Sequence, residues 1–295
     1  MEMIVRTVTG HPPKTKLPRG AVDAQMHMYL PGFPAQPGGP DLPAGALPDA
    51  GQYRSVMCWL GIDRVIVTQG NAHQRDNSNL VACLGEMGDV GRGVGVIDST
   101  TSDAELDRLS HRGVVGARIM DLPGGAVGLS ELEAIDAKAA ARGWMIAVQF
   151  DGTKILEHEA RLRGIKSRWV FDHHGKFFGG VAPDGPEVAA VKRLIDTGNC
   201  WFKFAGAYES SKSGGLTYED VGAVSRAIAS HARERIVWGT NWPHNLARIT
   251  ADYPDDAALT DTILDWLLDD RARHLALVEN PEKLFGLPPF GGVED

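Results

Sequence analysis

From residue 21 onward, short β-rich runs alternate with longer stretches of helical pattern. The runs at 21–27, 64–69, 93–98, 114–120, 144–150, 168–173, 200–205 and 235–239 read as eight strands. Helical stretches are expected near 52–61, 77–88, 103–111, 129–142, 154–163, 185–197 and 217–231, and beyond the last strand at 256–268, 270–278 and 281–286. Arg64-Val-Ile-Val-Thr68 and Arg235-Ile-Val-Trp-Gly239 are almost continuously apolar, as parallel strands buried on both faces are. Ser130 stands three residues before Glu133, the spacing of a capping box, and Gly143 follows the end of that helix. Thr217 ahead of Glu219 and Asp220 marks another helix start.

Eight strand–helix pairs predict a single α/β domain, a (β/α)8 TIM barrel over residues 21–288, with a flexible N-terminal arm at 1–20 and a tail at 289–295. The competing doubly wound sheet would carry a Gly-x-Gly-x-x-Gly turn after its first strand, and the segment from Gly32 does not match it. The length of 295 residues suits one such domain. A formal charge of −8 and a sequence pI near 5.7 argue against nucleic acid or an anionic membrane as partner. Cys58, Cys83 and Cys200 form no Cys-x-x-Cys pair, so neither a disulfide framework nor a cysteine zinc site is expected. With no basic-then-apolar start and no apolar run near the roughly 20 residues of a membrane span, a cytoplasmic location is expected. The 35 glycines fall largely after the strands, where chain turns sharply.

In a barrel the C-terminal strand ends carry the chemistry. Here all eight carry polar side chains: Gln25 and His27; Gln69, Asn71 and His73; Asp98; Arg118; Gln149 and Asp151; Asp172, His173, His174 and Lys176; Lys203 and Tyr208; Asn241 and His244. Asp98, Asp151 and Asp172 could equally pin loops. Residues 25 and 27 share one side of a strand, so a His pair there would reach one ion, but Gln25 occupies the first place and Asn241 stands on the last strand. Neutral amides are poor ligands beside carboxylate or imidazole, and no metal or other cofactor is expected.

Five motifs carry a family resemblance: Val22-Asp-Ala-Gln-Met-His27, Gly116-Ala-Arg118, Val170-Phe-Asp-His-His-Gly175, Trp201-Phe-Lys-Phe-Ala-Gly206 and Trp238-Gly-Thr-Asn-Trp-Pro-His244. Glu279-Asn-Pro-Glu-Lys-Leu-Phe-Gly286 adds a C-terminal segment. Together they resemble the amidohydrolase superfamily, in the branch of 2-pyrone-4,6-dicarboxylate lactonase and related sugar-lactone enzymes. The resemblance implies a (β/α)8 barrel and metal-independent lactone chemistry. Within the branch the chain is most similar to members that interconvert the 1,5- and 1,4-lactones of galactaric acid. Hydrolytic members place an aspartate where Asn241 stands, and an amide cannot take a proton from water.

Isomerisation needs no activated water, because the substrate's 4-hydroxyl attacks C1. His173 is expected as the main acid/base group, with His27 as its partner or as an oxyanion donor and Asn241 orienting a hydroxyl or oxyanion. Arg118 is expected to bind the carboxylate of an anionic sugar lactone, with Lys203 and Lys176 in reserve. Gln25, Asn71, His73, Gln149, His174 and Tyr208 are expected to read hydroxyls. A metal-independent lactone hydrolase, or an inactive barrel that binds sugar acids, remains open at this level.

Overall fold

The computed structural model describes residues 4, 6, 8 and 11–291; residues 292–295, which belong to the expected tail, and seven residues of the expected arm lie outside the described residues. Eight parallel strands pair in sequence order: β1 (Val22–Met26), β2 (Arg64–Thr68), β3 (Gly91–Gly95), β4 (Val114–Asp121), β5 (Met145–Phe150), β6 (Trp169–Phe171), β7 (Cys200–Phe204) and β8 (Ile236–Trp238). The ring closes at its upper rim, where Asn241 N–H donates to Gln25 O at 2.8 Å and His27 N–H to Trp242 O at 2.7 Å. Outside run α1 (Ala50–Leu60), α2 (Ser78–Met87), α3 (Asp103–His111), α4 (Leu132–Ala140), α5 (Ile155–Leu162), α6 (Pro186–Ile195) and α7 (Glu219–His231). After β8 come α8 (Asp256–Leu264), α9 (Asp270–His274), a π-helical turn (Leu275–Glu279) and α10 (Asn280–Phe285). This is the (β/α)8 barrel that the alternating pattern predicts.

Two apolar layers hold it. Between strands and helices lies a large buried cluster that includes Ile119, Val148, Phe171 and Phe202. Inside the barrel lies a second cluster of Val22, Ala24, Ile66, Val94, Met145, Ala147, Val170, Trp201 and Val237, joined by Leu284 and Phe285 of α10. On β5 the inner residues Met145 and Ala147 lead, two positions on, to Gln149. On β6 and β7 Val170 and Trp201 lead in the same way to Asp172 and Lys203. The period-2 alternation therefore stacks a polar ring on an apolar plug.

β1 breaks the alternation. Its register against β2 shifts between Asp23 and Met26, and Gln25 N–H donates to Asp23 Oδ1. Val22 and Ala24 join the inner cluster, yet Met26 joins the outer one and Gln25 and His27 turn to the polar ring. Such a bulge re-aims side chains beside a site. Asp23 anchors it, accepting also from Thr240 N–H, Thr240 Oγ1 and Tyr53 OH. Burial lifts its pKa to about 6, against the pull of these donors.

Three local expectations are corrected. Ser130 does not cap a helix: it lies in a 3-10 turn at Leu129–Glu131, and Glu133 pairs with Arg161 instead. β3 ends three residues early, because the Asn77 side chain takes over the backbone of Val96 with bonds of 2.8 and 2.9 Å. The segment expected as 256–268 stops at Leu264, and the one expected as 270–278 gives way to the π-helical turn after His274. Within the N-terminal segment, Leu17 is buried in the outer core, and the backbone N–H groups of Lys14 and Thr15 donate to Asp261 of α8.

Candidate active site

An open cleft of about 760 Å3, mouth included, lies over the C-terminal strand ends. Among its lining residues are His27, Asn71, Arg118, Met120, Gln149, His173, Lys176, Glu209 and Asn241. Six residues expected from the sequence thus meet in one place: His27, Asn71, Arg118, Gln149, His173 and Asn241. Lys176, held in reserve, joins them.

The His27 tautomer follows from its partners. Nδ1 lies 2.9 Å from the carbonyl of Thr68, which can only accept, so Nδ1 carries the proton. Gln25 Oε1 accepts from Lys203 Nζ at 2.9 Å and Thr68 Oγ1 at 3.3 Å, which leaves its amide Nε2 to donate to His27 Nε2 at 3.3 Å. The Nε2 lone pair is therefore an acceptor. Burial, then Arg118, lowers the His27 pKa to about 3, so the ring is neutral.

His173 faces acceptors with both ring nitrogens. Nε2 lies 3.1 Å from Asn241 Oδ1 and Nδ1 lies 3.0 Å from Asp172 Oδ1. The orientation of Asn241 is fixed by its other end, where Nδ2 donates to Glu209 Oε1 at 2.7 Å and to Tyr208 OH at 2.9 Å. Nε2 of His173 must then bear a proton, whatever the state of Nδ1. Burial pushes this imidazole down, and Asp172 works against the push. Asp172 itself is fully buried; burial alone would raise it, but Lys203 at 3.0 Å, His173 and Arg118 hold it well below the ordinary carboxylate range.

Arg118 is buried without a carboxylate partner among the described residues. Its guanidinium donates to Gln69 O at 2.8 Å and Gln149 Oε1 at 3.1 Å, and Nε has no partner. Burial lowers its pKa. Lys176 forms an ion pair with Glu209, and burial brings its pKa down to about 7.

The remaining expected residues sit elsewhere. Gln25 and Lys203 bond beneath His27, and Tyr208 stands behind Asn241 with its hydroxyl 2.8 Å from His244 Nδ1. His73 is turned away, its Nε2 bonded to Phe33 O at 3.1 Å and its ring against Tyr29. His174 packs against Phe204 and Trp266, bonds Ser225 Oγ at 2.9 Å and lines a separate small cavity. Adjacent residues in a turn point apart, so only one of His173 and His174 can face the cleft. Glu209 lies outside the strand-end pattern, one residue beyond Tyr208 in the Ala-Gly-Ala-Tyr-Glu segment. Gly206 in that segment is required: at φ +63°, a Cβ there would stand 2.7 Å from Asn241 Nδ2.

Residues 11–287 match the amidohydrolase family. D-galactarolactone isomerase of Agrobacterium fabrum (strain C58) is 63% identical over 289 residues, covering 98% of this chain and 99% of the relative. 2-Pyrone-4,6-dicarboxylate hydrolase of Comamonas testosteroni is 29% identical, covering 92% of each. The apo crystal structure of Agrobacterium tumefaciens ATU3138 superposes with a TM-score of 0.94 at 63% identity, over 96% of this chain and 99% of that one. With a family match across nearly the whole barrel and a relative this similar, the chain belongs to the amidohydrolase family.

Proposed function

We propose that this enzyme isomerises D-galactaro-1,5-lactone to the 1,4-lactone by intramolecular acyl transfer, without a metal. The observation that carries the reading is Asn241. An amide, oriented by Glu209 and Tyr208, meets His173 Nε2, where the resemblance places an aspartate in hydrolytic members. The 63% identity to a lactone isomerase supports the same conclusion.

The tautomers divide the proton transfers. The 4-hydroxyl attacks C1, and as the C–O bond forms its proton becomes acidic enough for the weakly basic Nε2 of His27. His173, protonated on Nδ1 beside Asp172 as well as on Nε2, gives its Nε2 proton to the departing 5-oxygen as the C1–O5 bond breaks and is left as the neutral Nδ1–H ring. A bare Nε2 would face the Asn241 oxygen, lone pair to lone pair, which favours its recharging. One proton passed from His27 to His173 closes the cycle, and no water enters. Arg118 holds the free carboxylate through parallel N–H bonds. In the cleft and its floor Lys176 pairs with Glu209 and Lys203 with Asp172, which leaves Arg118 as the cation with no bonded carboxylate, a feature that favours an anionic lactone.

A divalent ion does not fit this donor set. Gln25 Oε1 is held by the Lys203 ammonium, and His27 Nδ1 is committed to Thr68. Among the described residues no three His, Cys, Asp or Glu side chains come together as ligands. Incubation of the 1,5-lactone followed by NMR tests the reading. The 1,4-lactone should appear ahead of any open acid, and the rate should be unchanged by chelator; direct opening to the acid, or loss of activity with chelator and recovery with zinc, contradicts it.

A further inference from the structure

Behind the cleft runs a hydrogen-bonded chain that the proposed chemistry does not use. Asn241 Nδ2 donates to Tyr208 OH at 2.9 Å, Tyr208 OH lies 2.8 Å from His244 Nδ1, and His244 Nε2 lies 2.9 Å from Asp256 Oδ1. The polarity is set from its far end by the His244 tautomer. The Asp256 carboxylate accepts, so His244 bears a proton on Nε2, and in the single-proton tautomer Nδ1 is an acceptor. Tyr208 must then donate to Nδ1 and offer its oxygen to Asn241. A second carboxylate, Glu209, accepts from the same Asn241 nitrogen at 2.7 Å. His244 is completely enclosed and Asp256 is partly buried, so the inner links of the chain are shielded from competing water.

We propose that Tyr208 and Glu209 are positioning residues that lock the Asn241 amide with its oxygen toward His173, and so keep the proton of His173 on Nε2. Without them the amide would turn freely. The flipped amide would present N–H to His173, stabilise the tautomer protonated only on Nδ1 beside Asp172, and remove the proton needed by the leaving oxygen. His244 and Asp256 act one step back, by fixing the direction of the Tyr208 hydroxyl. Lys176 serves the lock by holding the Glu209 carboxylate in place through their ion pair.

The kinetic part of this proposal rests on the isomerase reading, whereas the tautomer part does not. The test compares wild type with Tyr208→Phe and Glu209→Gln in the full-length chain labelled with 15N-histidine, the His173→Asn spectrum assigning the ring signals. Tyr208→Phe keeps the ring in place and leaves the Lys176–Glu209 pair untouched. Expected is an Nε2-protonated His173 in wild type and partial loss of that proton in each variant. kcat should fall about tenfold, as for one misdirected hydrogen bond, with KM within about twofold. Melting curves check that both variants fold. The proposal is overturned if His173 keeps its Nε2 proton in both variants, or if any loss lies in KM alone. Should wild type show no lactone turnover, the functional reading fails and the nitrogen signals still decide the proposal.

Discussion

Replacing Arg118 with methionine should move binding and stability in different ways. The guanidinium is buried in the free enzyme with only neutral partners: the Gln69 carbonyl, the Gln149 side chain and the Met120 sulfur. The nearby charge of Asp172 offsets part of the several kcal/mol that a buried cation with no bonded carboxylate costs. Its removal relieves that cost and strands two acceptors, at about 1–3 kcal/mol each. Gln149, which lines the open cleft, can recover a bond to water. The two effects nearly cancel, so unfolding in urea should show a change within about 1 kcal/mol. Substrate binding has no such compensation. Losing a two-pronged bond to a carboxylate should cost about 3 kcal/mol, roughly a hundredfold in KM. The assays are urea unfolding of the free variant and steady-state kinetics on the 1,5-lactone. A variant destabilised by 3 kcal/mol or more with unchanged KM would refute the argument and make Arg118 a structural brace.

Two further outcomes are expected. Asn241→Asp sets a second carboxylate about 3 Å from Glu209, an unrelaxed repulsion of about 5 kcal/mol at an effective dielectric of 20. After Glu209 swings away, about 2 kcal/mol of stability should be lost, and open acid should appear among the products on NMR; an unchanged product mixture would remove Asn241 from the account. His174 and His27, held at about 3 in the folded chain, take up protons only on unfolding as pH falls from 6.5 toward 3. The unfolded state binds more protons there, so stability is full above pH 6.5 and falls at up to about 1.4 kcal/mol per pH unit for each ring. His174→Asn should therefore flatten the acid loss of stability measured by urea unfolding between pH 7 and pH 5, and an equal slope in the variant would contradict the assignment.

Much of the barrel was legible because buried parallel strands leave apolar runs that water-facing segments do not. Arg118, Gln149 and Asn241 were readable because they sit at run ends, where alternation carries inner positions to the rim. The bulge in β1 was not readable: it depends on Asp23 gathering donors from β8 and from Tyr53, far away in sequence. His73 and His174 looked equivalent to the histidines of the cleft until the 3-10 turns after β2 and β6 aimed them elsewhere. Glu209 shows no strand-end signature, since its place depends on the left-handed turn at Gly206. Asp172 reads as a loop pin in sequence, and only burial against Lys203 and His173 gives it an electrostatic role.

The central claim is that the nucleophile is the substrate's own hydroxyl. Turnover of D-galactaro-1,5-lactone in H218O tests it most directly. The account predicts a 1,4-lactone free of 18O, formed without passing through the acid. Incorporation of 18O into the lactone carboxyl carbon, or open acid as the first product, would contradict it.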